Sequence, residues 1–175
     1  ITSPSRAIHS GIGYVSKNRD TESIILEASL RDNVVLASLG RLSHFGFISE
    51  KSERRLSEAQ IRSLRIKCTN YKQFCSEFSG GNKQKVAYAK WLAAGSDIII
   101  MDCPTRGIDI GVKVSMYQLM YELKKEGKSI VMISEELPEL LGMSDRILIM
   151  KDGGIVKEFQ RSPEVTDSVV IHYMI

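Results

Sequence analysis

Long hydrophobic runs are what this chain has least of. None of its apolar stretches approaches the length that a helix needs to cross a bilayer, which excludes a helical membrane span within its 175 residues. The opening residues, ITSPSRAIHSG, hold neither a charged leader nor an apolar segment behind one, so no secretory signal is expected there. Cysteine is scarce as well. Cys68, Cys75 and Cys103 are odd in number and lack CxxC spacing, which argues against a zinc site or disulfide framework and for reduced thiols in a cytosolic protein. Charge of one sign is also lacking: 24 basic residues against 21 acidic ones leave a net +3, too little to mark a nucleic-acid partner. The chain holds no internal repeat and no low-complexity segment.

What is there is the composition of a folded domain. Apolar residues make up 43 %, enough for one core with at most a small appendage. Ser3 and Pro4 begin a short helix, Gly11 stops it, and Ile12–Val15 follows as a strand. The polar segment 16–22 reads as a turn, and Leu30, Val34 and Ala37 mark one face of a second helix. A charged, mainly helical stretch over 49–67 then predicts a helical subdomain of two or three helices within 31–77. Beyond it strands alternate with helices. The pattern predicts a helix over 80–94, a strand over 97–101, a helix over 111–125 closed by Gly127, and a strand over 130–133. A short helix over 137–141, strands over 146–150 and 155–159, and a C-terminal helix within 160–175 complete it. The runs IIIM, IVMI and ILIM are apolar on both faces, as in a parallel sheet covered by helices. The predicted class is α/β, a mostly parallel sheet flanked by helices with an inserted helical subdomain.

The chemistry concentrates in 78–109, FSGGNKQKVAYAKWLAAGSDIIIMDCPTRGID. Ser79-Gly80-Gly81 opens a helix, whose first amides lack partners and whose dipole favours an anion. Two glycines would let a phosphate approach the backbone, with the Ser79 hydroxyl as a further donor; taken alone, the same residues also fit a plain helix cap. Asp102 ends the apolar strand that follows, a placement suited to Mg²⁺ beside nucleotide phosphates. Asp109 stands in the turn TRGID before the next helix.

With these residues in view, the chain resembles the nucleotide-binding domain of ATP-binding-cassette (ABC) proteins. FSGGNKQKV is similar to their signature motif, and IIIMDCPTRGID to their Walker B strand and D-loop. DRILIMKDGGIV is similar to the strand pair after their switch region, and the sequence variants are most like the second cassette of tandem simple-sugar importers of the ribose, galactose and xylose type. The resemblance implies a P-loop NTPase-like fold, with 78–159 carrying the signature, Walker B, D-loop and switch region, and a peripheral place on the inner face of the cell membrane. It implies ATP and Mg²⁺ at a composite site: Ser79, Gly80, Gly81 and Asn82, with Gln84 nearby, would face a nucleotide held by a second cassette. Asp102 would serve this chain's own Mg²⁺ and Asp109 the cassette–cassette interface. The implied partners are that second cassette, transmembrane permease subunits and, indirectly, a sugar-binding protein.

The departures from the family pattern are equally informative. The resemblance implies a Walker A loop ahead of Ile1, because no GxxxxGK[ST] after a strand occurs within the 175 residues; Gly127-Lys128-Ser129 follows a helix instead. Cys103 stands where the family has its catalytic Glu, and a thiol carries no fixed charge at neutral pH unless its pKa is depressed. Glu135 falls on the switch-histidine position and Lys17 on the Q-loop glutamine. Hydrolysis at the chain's own site is therefore not expected, and the alternative to a sugar-importer subunit is a catalytically dead cassette with a structural role or none.

Overall fold

The computed structural model describes residues 1–174. They divide into two compact units, Ile1–Val131 and a second that begins at Met132. The division falls inside the 78–159 block that the motifs delimit.

In the first unit, helix α1 (Pro4–His9) is capped by Ser3, whose hydroxyl accepts from the Arg6 amide. Gly11, at φ 71, turns the chain into strand β1 (Ile12–Val15). β1 pairs in parallel with β4 (Ile98–Asp102), Ile12 opposite Ile98 and Val15 opposite Met101, and the sheet order is β1-β4-β5, with β5 at Ser129–Ile133. Helix α5 (Gly80–Ala93) buries Val86, Ala87, Tyr88, Ala89 and Ala93. Its Trp91 sits so near β1 that a Cβ on Gly13 would stand 2.8 Å from the Trp91 Cβ. Glycine mid-strand is therefore what admits the helix. Helix α6 (Ile110–Lys125) buries Met116, Met120 and Leu123, spaced to share one helical face. It closes as the sequence predicts, at Gly127 with φ 83, where Lys128 donates to the Leu123 carbonyl at 3.0 Å.

Residues 31–77 hold more than helices. Helix α2 (Leu30–Val35) opens on a capping box between Ser29 and Asp32 and buries Leu30, Val34 and Val35, whereas Ala37 is only half-buried. After α3 (Leu39–Leu42) comes a small antiparallel hairpin that the sequence reading lacked, β2 (Ser43–His44) and β3 (Phe47–Ile48), turned by Phe45 and Gly46 at φ 52 and 83. Helix α4 (Glu50–Ser63) ends before the predicted 67, because Arg65 adopts φ 49 and the Ile66 amide folds back onto the Ile61 carbonyl at 3.0 Å. Backbone bonds join the two ends of this insertion: Leu30 to Gln73 at 2.8 Å, Arg31 to Tyr71 at 2.9 Å, Cys75 to Ala28 at 3.0 Å and Ser76 to Leu26 at 2.9 Å. The buried Asn33 side chain reinforces them, accepting from the Ile25 amide at 2.7 Å and donating to the Ile25 and Ser29 carbonyls.

The second unit comprises α7 (Leu137–Met143), β6 (Arg146–Lys151), β7 (Gly154–Gln160) and α8 (Asp167–Met174). β6 and β7 form an antiparallel hairpin around Asp152 and Gly153, both at positive φ. Ile147, Ile149 and Val170 are its core, joined by Leu137, Leu140 and Phe159. The ILIM run thus differs from the expectation of a two-sided parallel strand. Ile147 and Ile149 point inward while Leu148 and Met150 are exposed, because an antiparallel hairpin needs cover on one face only. IIIM in β4 alternates in the same way, with Ile99 and Met101 fully buried and Ile98 exposed.

Gly13→Ala is expected to destabilise the protein by about 1–3 kcal/mol, the usual cost of forcing a methyl into a packed site. Thermal unfolding of the variant measures it; an unchanged melting temperature would mean that Trp91 yields without cost.

Candidate functional site: the mouth of helix α5 and the carboxyl end of β4

The N-terminus of α5 is open. Ser79 has extended backbone, and its hydroxyl accepts from Asn82 Nδ2 at 3.3 Å without capping a helix amide. Asn82 in turn accepts from the Lys67 amide at 3.1 Å, which fixes its amide group. The first helical bond runs from the Lys83 amide to the Ser79 carbonyl at 2.9 Å, so the amides of residues 80–82 have no acceptor among the described residues. No acidic side chain occupies the first turn. The two glycines differ in what they admit. A Cβ on Gly81 would lie 2.8 Å from Val112 Cγ1, so its bareness serves the packing of α6 on α5. A Cβ on Gly80 would lie 3.6 Å from Arg19 Nη2. The bareness of Gly81 is thus taken up by Val112, Gly80 stands at ordinary contact distance from the Arg19 guanidinium, and the backbone amides are what remain to meet an anion.

Arg19 belongs to a tie that the sequence reading missed. After β1 the chain makes a short wide turn, Arg19–Ser23, which lies against α5. Arg19 Nε donates to Asp20 at 2.7 Å, and Arg19 Nη1 reaches Gln84 Oε1 at 3.4 Å. Lys83 Nζ closes the group with a 2.9 Å bond to the other Asp20 oxygen. Burial pushes the Asp20 carboxyl up, but the bonds and charges of Arg19 and Lys83 outweigh it and bring the carboxyl below its ordinary value. Gln84, buried, also lies 3.4 Å from the Tyr88 hydroxyl, so it is anchored inside α5 and does not project from the mouth. Nothing in the string SKNRDTE distinguished this tie from a solvated turn, because its partners lie more than 60 residues away in sequence.

Asp102 ends β4 as predicted, and its Oδ2 accepts from the Tyr14 hydroxyl at 3.1 Å across the β1–β4 pair. The Tyr14 hydroxyl is pushed up by burial and by the neighbouring Asp102 charge, so it remains a protonated donor. Among the described residues no cluster of three or more His, Cys, Asp or Glu could hold a metal. Mg²⁺ commonly uses one or two carboxylates and takes its other oxygens from phosphate and water. The second Asp102 oxygen fits that supporting role, though not a self-sufficient metal site. Beyond Asp102 the chain turns sharply at Cys103, whose φ of 46 is strained for a side chain with a Cβ. Asp109 caps α6, its Oδ1 accepting from the Val112 amide at 3.0 Å. Lys17, Gln84 and Cys103 line one cleft with Arg19 and Arg106. Glu135 belongs to the second unit and is exposed, beside Ser134, whose hydroxyl donates to the buried Glu139 carboxylate.

The Asp20 tie makes a prediction about pH. A carboxyl held below its unfolded value contributes stability at neutral pH that is lost as pH falls through the folded value. Asp20→Asn should therefore lower the melting temperature at pH 7 and lose less on acidification to pH 3 than the parent does. Parallel acid profiles for the two proteins would show that the tie does not contribute.

No family model matches the chain. Curated relatives do. It is 42 % identical over 167 residues to the ribose import ATP-binding protein RbsA of Bacillus licheniformis, covering 95 % of this chain and 34 % of that protein. It is 40 % identical over 173 residues to RbsA of Halalkalibacterium halodurans, covering 99 % and 34 %. A putative ribose/galactose/methyl galactoside import ATP-binding protein of Rhizobium etli is 41 % identical over 170 residues, covering 97 % and 32 %. The chain thus spans about a third of the length of the curated relatives it matches. Among solved structures, a nucleotide-free ATP-binding cassette from an ABC transporter superposes at a TM-score of 0.78 and 22 % identity, over 99 % of this chain and 72 % of that one. A dimeric post-hydrolysis cassette bound to ADP and Pi superposes at 0.71 and 24 % identity, over 86 % and 63 %. Both likenesses are of fold, the P-loop NTPase fold of ABC cassettes. With the relatives' identity extending over nearly all of its residues, the chain belongs to the nucleotide-binding-domain family of ATP-binding-cassette proteins, among homologues of sugar-import ATP-binding proteins.

Proposed function

We propose that this chain is part of the ATP-binding subunit of a simple-sugar importer and that it acts by lending its α5 mouth to a nucleotide held mainly by a partner cassette. The observation that carries the reading is the open helix mouth at Ser79-Gly80-Gly81, with three amides unclaimed, no acid in the first turn and the Arg19 guanidinium against Gly80. Such a mouth favours a terminal phosphate through aligned amides and the helix dipole, and a cation beside it strengthens the field. Asn82 stabilises the entry to the helix through Ser79 and Lys67. Asp109, by holding the start of α6 against Gly81, sets the surface that meets the partner.

The chain's own half of the chemistry lacks what hydrolysis needs. Asp102 offers one oxygen to Mg²⁺, which when bound would neutralise phosphate charge, but Cys103 supplies no fixed base and Lys17 is a cation where a neutral amide would orient water. Glu135 would repel phosphate if it stood at the switch position. Transport of a sugar, a cytoplasmic place against permease subunits and a link to a sugar-binding protein follow from the relatives' roles and belong to the same proposal. In it, closure of two cassettes on ATP is the event passed on to the membrane subunits.

Ser79→Arg tests the reading, because it fills the helix mouth without touching the core. In the assembled importer, the variant should lose ATPase activity at least about 100-fold, the usual cost of removing pre-aligned donors from a charged transition state, with an unchanged circular dichroism spectrum. Full activity in the variant would refute the shared site. The 175-residue chain alone should show no Mg²⁺-dependent ATPase activity; turnover abolished by Asp102→Ala would refute the disabled half-site.

A further inference from the structure

The bond between Tyr14 and Asp102 has a geometry that packing alone does not call for. In the parallel register Tyr14 stands opposite Ile100, and Asp102 lies two residues further along β4 on the same face. With strands about 4.8 Å apart and a rise of about 3.3 Å per residue, that diagonal is about 8 Å, too far for a serine or threonine hydroxyl to bridge. Tyr14 spans it, and its hydroxyl donates to Asp102 Oδ2 at 3.1 Å. The Tyr14 side chain is 45 % exposed, so burial of the ring does not account for a tyrosine at this place. The bond is exposed as well, and an exposed bond adds little to stability because water replaces it readily. What it does fix is the carboxylate. With Oδ2 held from β1, Oδ1 is the oxygen left to face a ligand. Cys103 and Pro104 come next in the chain, so no second acid follows Asp102 at the end of β4.

We propose that Tyr14 is a metal-specificity residue: by holding Asp102 Oδ2 it restricts the carboxylate to one oxygen and so favours Mg²⁺ over Ca²⁺. This role rests on the reading that Asp102 serves Mg²⁺ beside nucleotide phosphates. The two ions ask different things of a carboxylate. Ca²⁺ gathers about six to eight oxygens and often takes both from one carboxyl group, whereas Mg²⁺ keeps a strict octahedron and completes it with phosphate and water. Tyr14 therefore denies Ca²⁺ a second oxygen that Mg²⁺ does not need. A hydrogen bond behind a ligating carboxylate also fixes its direction, which matters most to the ion with the stricter geometry. Phe at position 14 would keep the ring and free Oδ2, so that Asp102 could turn and offer both oxygens. Tyr14 acts through Asp102 in this and does not itself meet the metal.

Binding of a fluorescent ATP analogue to the assembled importer, with Mg²⁺ or Ca²⁺ as the sole divalent ion, tests the proposal. Asp102→Asn supplies the blank: the metal-dependent binding that it removes is the part belonging to this half-site. For that part the parent should prefer Mg²⁺, and Tyr14→Phe should move the ratio of Mg²⁺ to Ca²⁺ affinity about tenfold toward Ca²⁺, the scale on which hydrogen bonds behind metal ligands act. Ile98→Val, a change on the same sheet face, should leave the ratio where it is. A variant that is merely less stable loses both ions alike, so the ratio separates specificity from folding. The proposal is overturned by an unchanged ratio in Tyr14→Phe, by equal loss for both ions, or by the same shift in Ile98→Val. If Asp102→Asn leaves metal-dependent binding intact, the reading of Asp102 falls and the role of Tyr14 falls with it. An Asp102-dependent part whose ratio ignores Tyr14 overturns the role of Tyr14 alone.

Discussion

The contact of Trp91 with the bare α-carbon of Gly13 decides where α5 lies, and the position of α5 decides nearly everything else in the first unit. A helix held that close to β1 brings its mouth beside the turn at Arg19–Ser23 and its first turn under the start of α6, where Gly81 meets Val112. The two close approaches lie at opposite ends of one helix. Together they leave α5 little freedom to slide or roll, because interiors packed to this density do not yield by small continuous shifts. Open amides at the mouth have value only if their direction is fixed, and here packing fixes it, with hydrogen bonding to the Ser79 hydroxyl playing a minor part.

Under the proposed function, the segment that looked like one phosphate site in the sequence divides into two half-sites of different quality. The helix mouth has its backbone donors, its orienting Asn82 and an added Arg19. The end of β4 has one carboxylate, already shared with Tyr14, followed by a strained thiol. Lys17, Arg19 and Arg106 share one cleft with Cys103, which lies apart from the residues of the helix mouth at 79–81.

The alternation of strands and helices was legible because apolar periodicity and glycine stops are local, as Gly11, Gly127 and the run ending at Asp102 illustrate. The helix mouth was legible for the same reason. The Arg19–Asp20–Lys83 group was not, since charged residues in a polar turn look alike until a distant helix supplies the partner. Likewise, the Phe45-Gly46 turn escaped notice: Phe at positive φ runs against propensity, and the flanking charges read as helix. ILIM misled for a different reason. Four apolar residues in a row do not say whether both faces are covered, and in β6 only one is.

The four backbone bonds that join residues 26–31 to 71–76 have a consequence for how such a chain can change. They make the insertion a closed ring whose entry and exit lie side by side. A loop lengthened between fixed ends costs only about 0.6 kcal/mol per doubling in closure entropy. The stretches between Arg31 and Tyr71 that stand clear of α5, such as the turn at the exposed Phe45, are therefore the ones able to change length, whereas Arg41, Arg65 and Lys67 bond to α5 and help hold its register. The clasp separates the part of the molecule able to diversify from the part that must hold still.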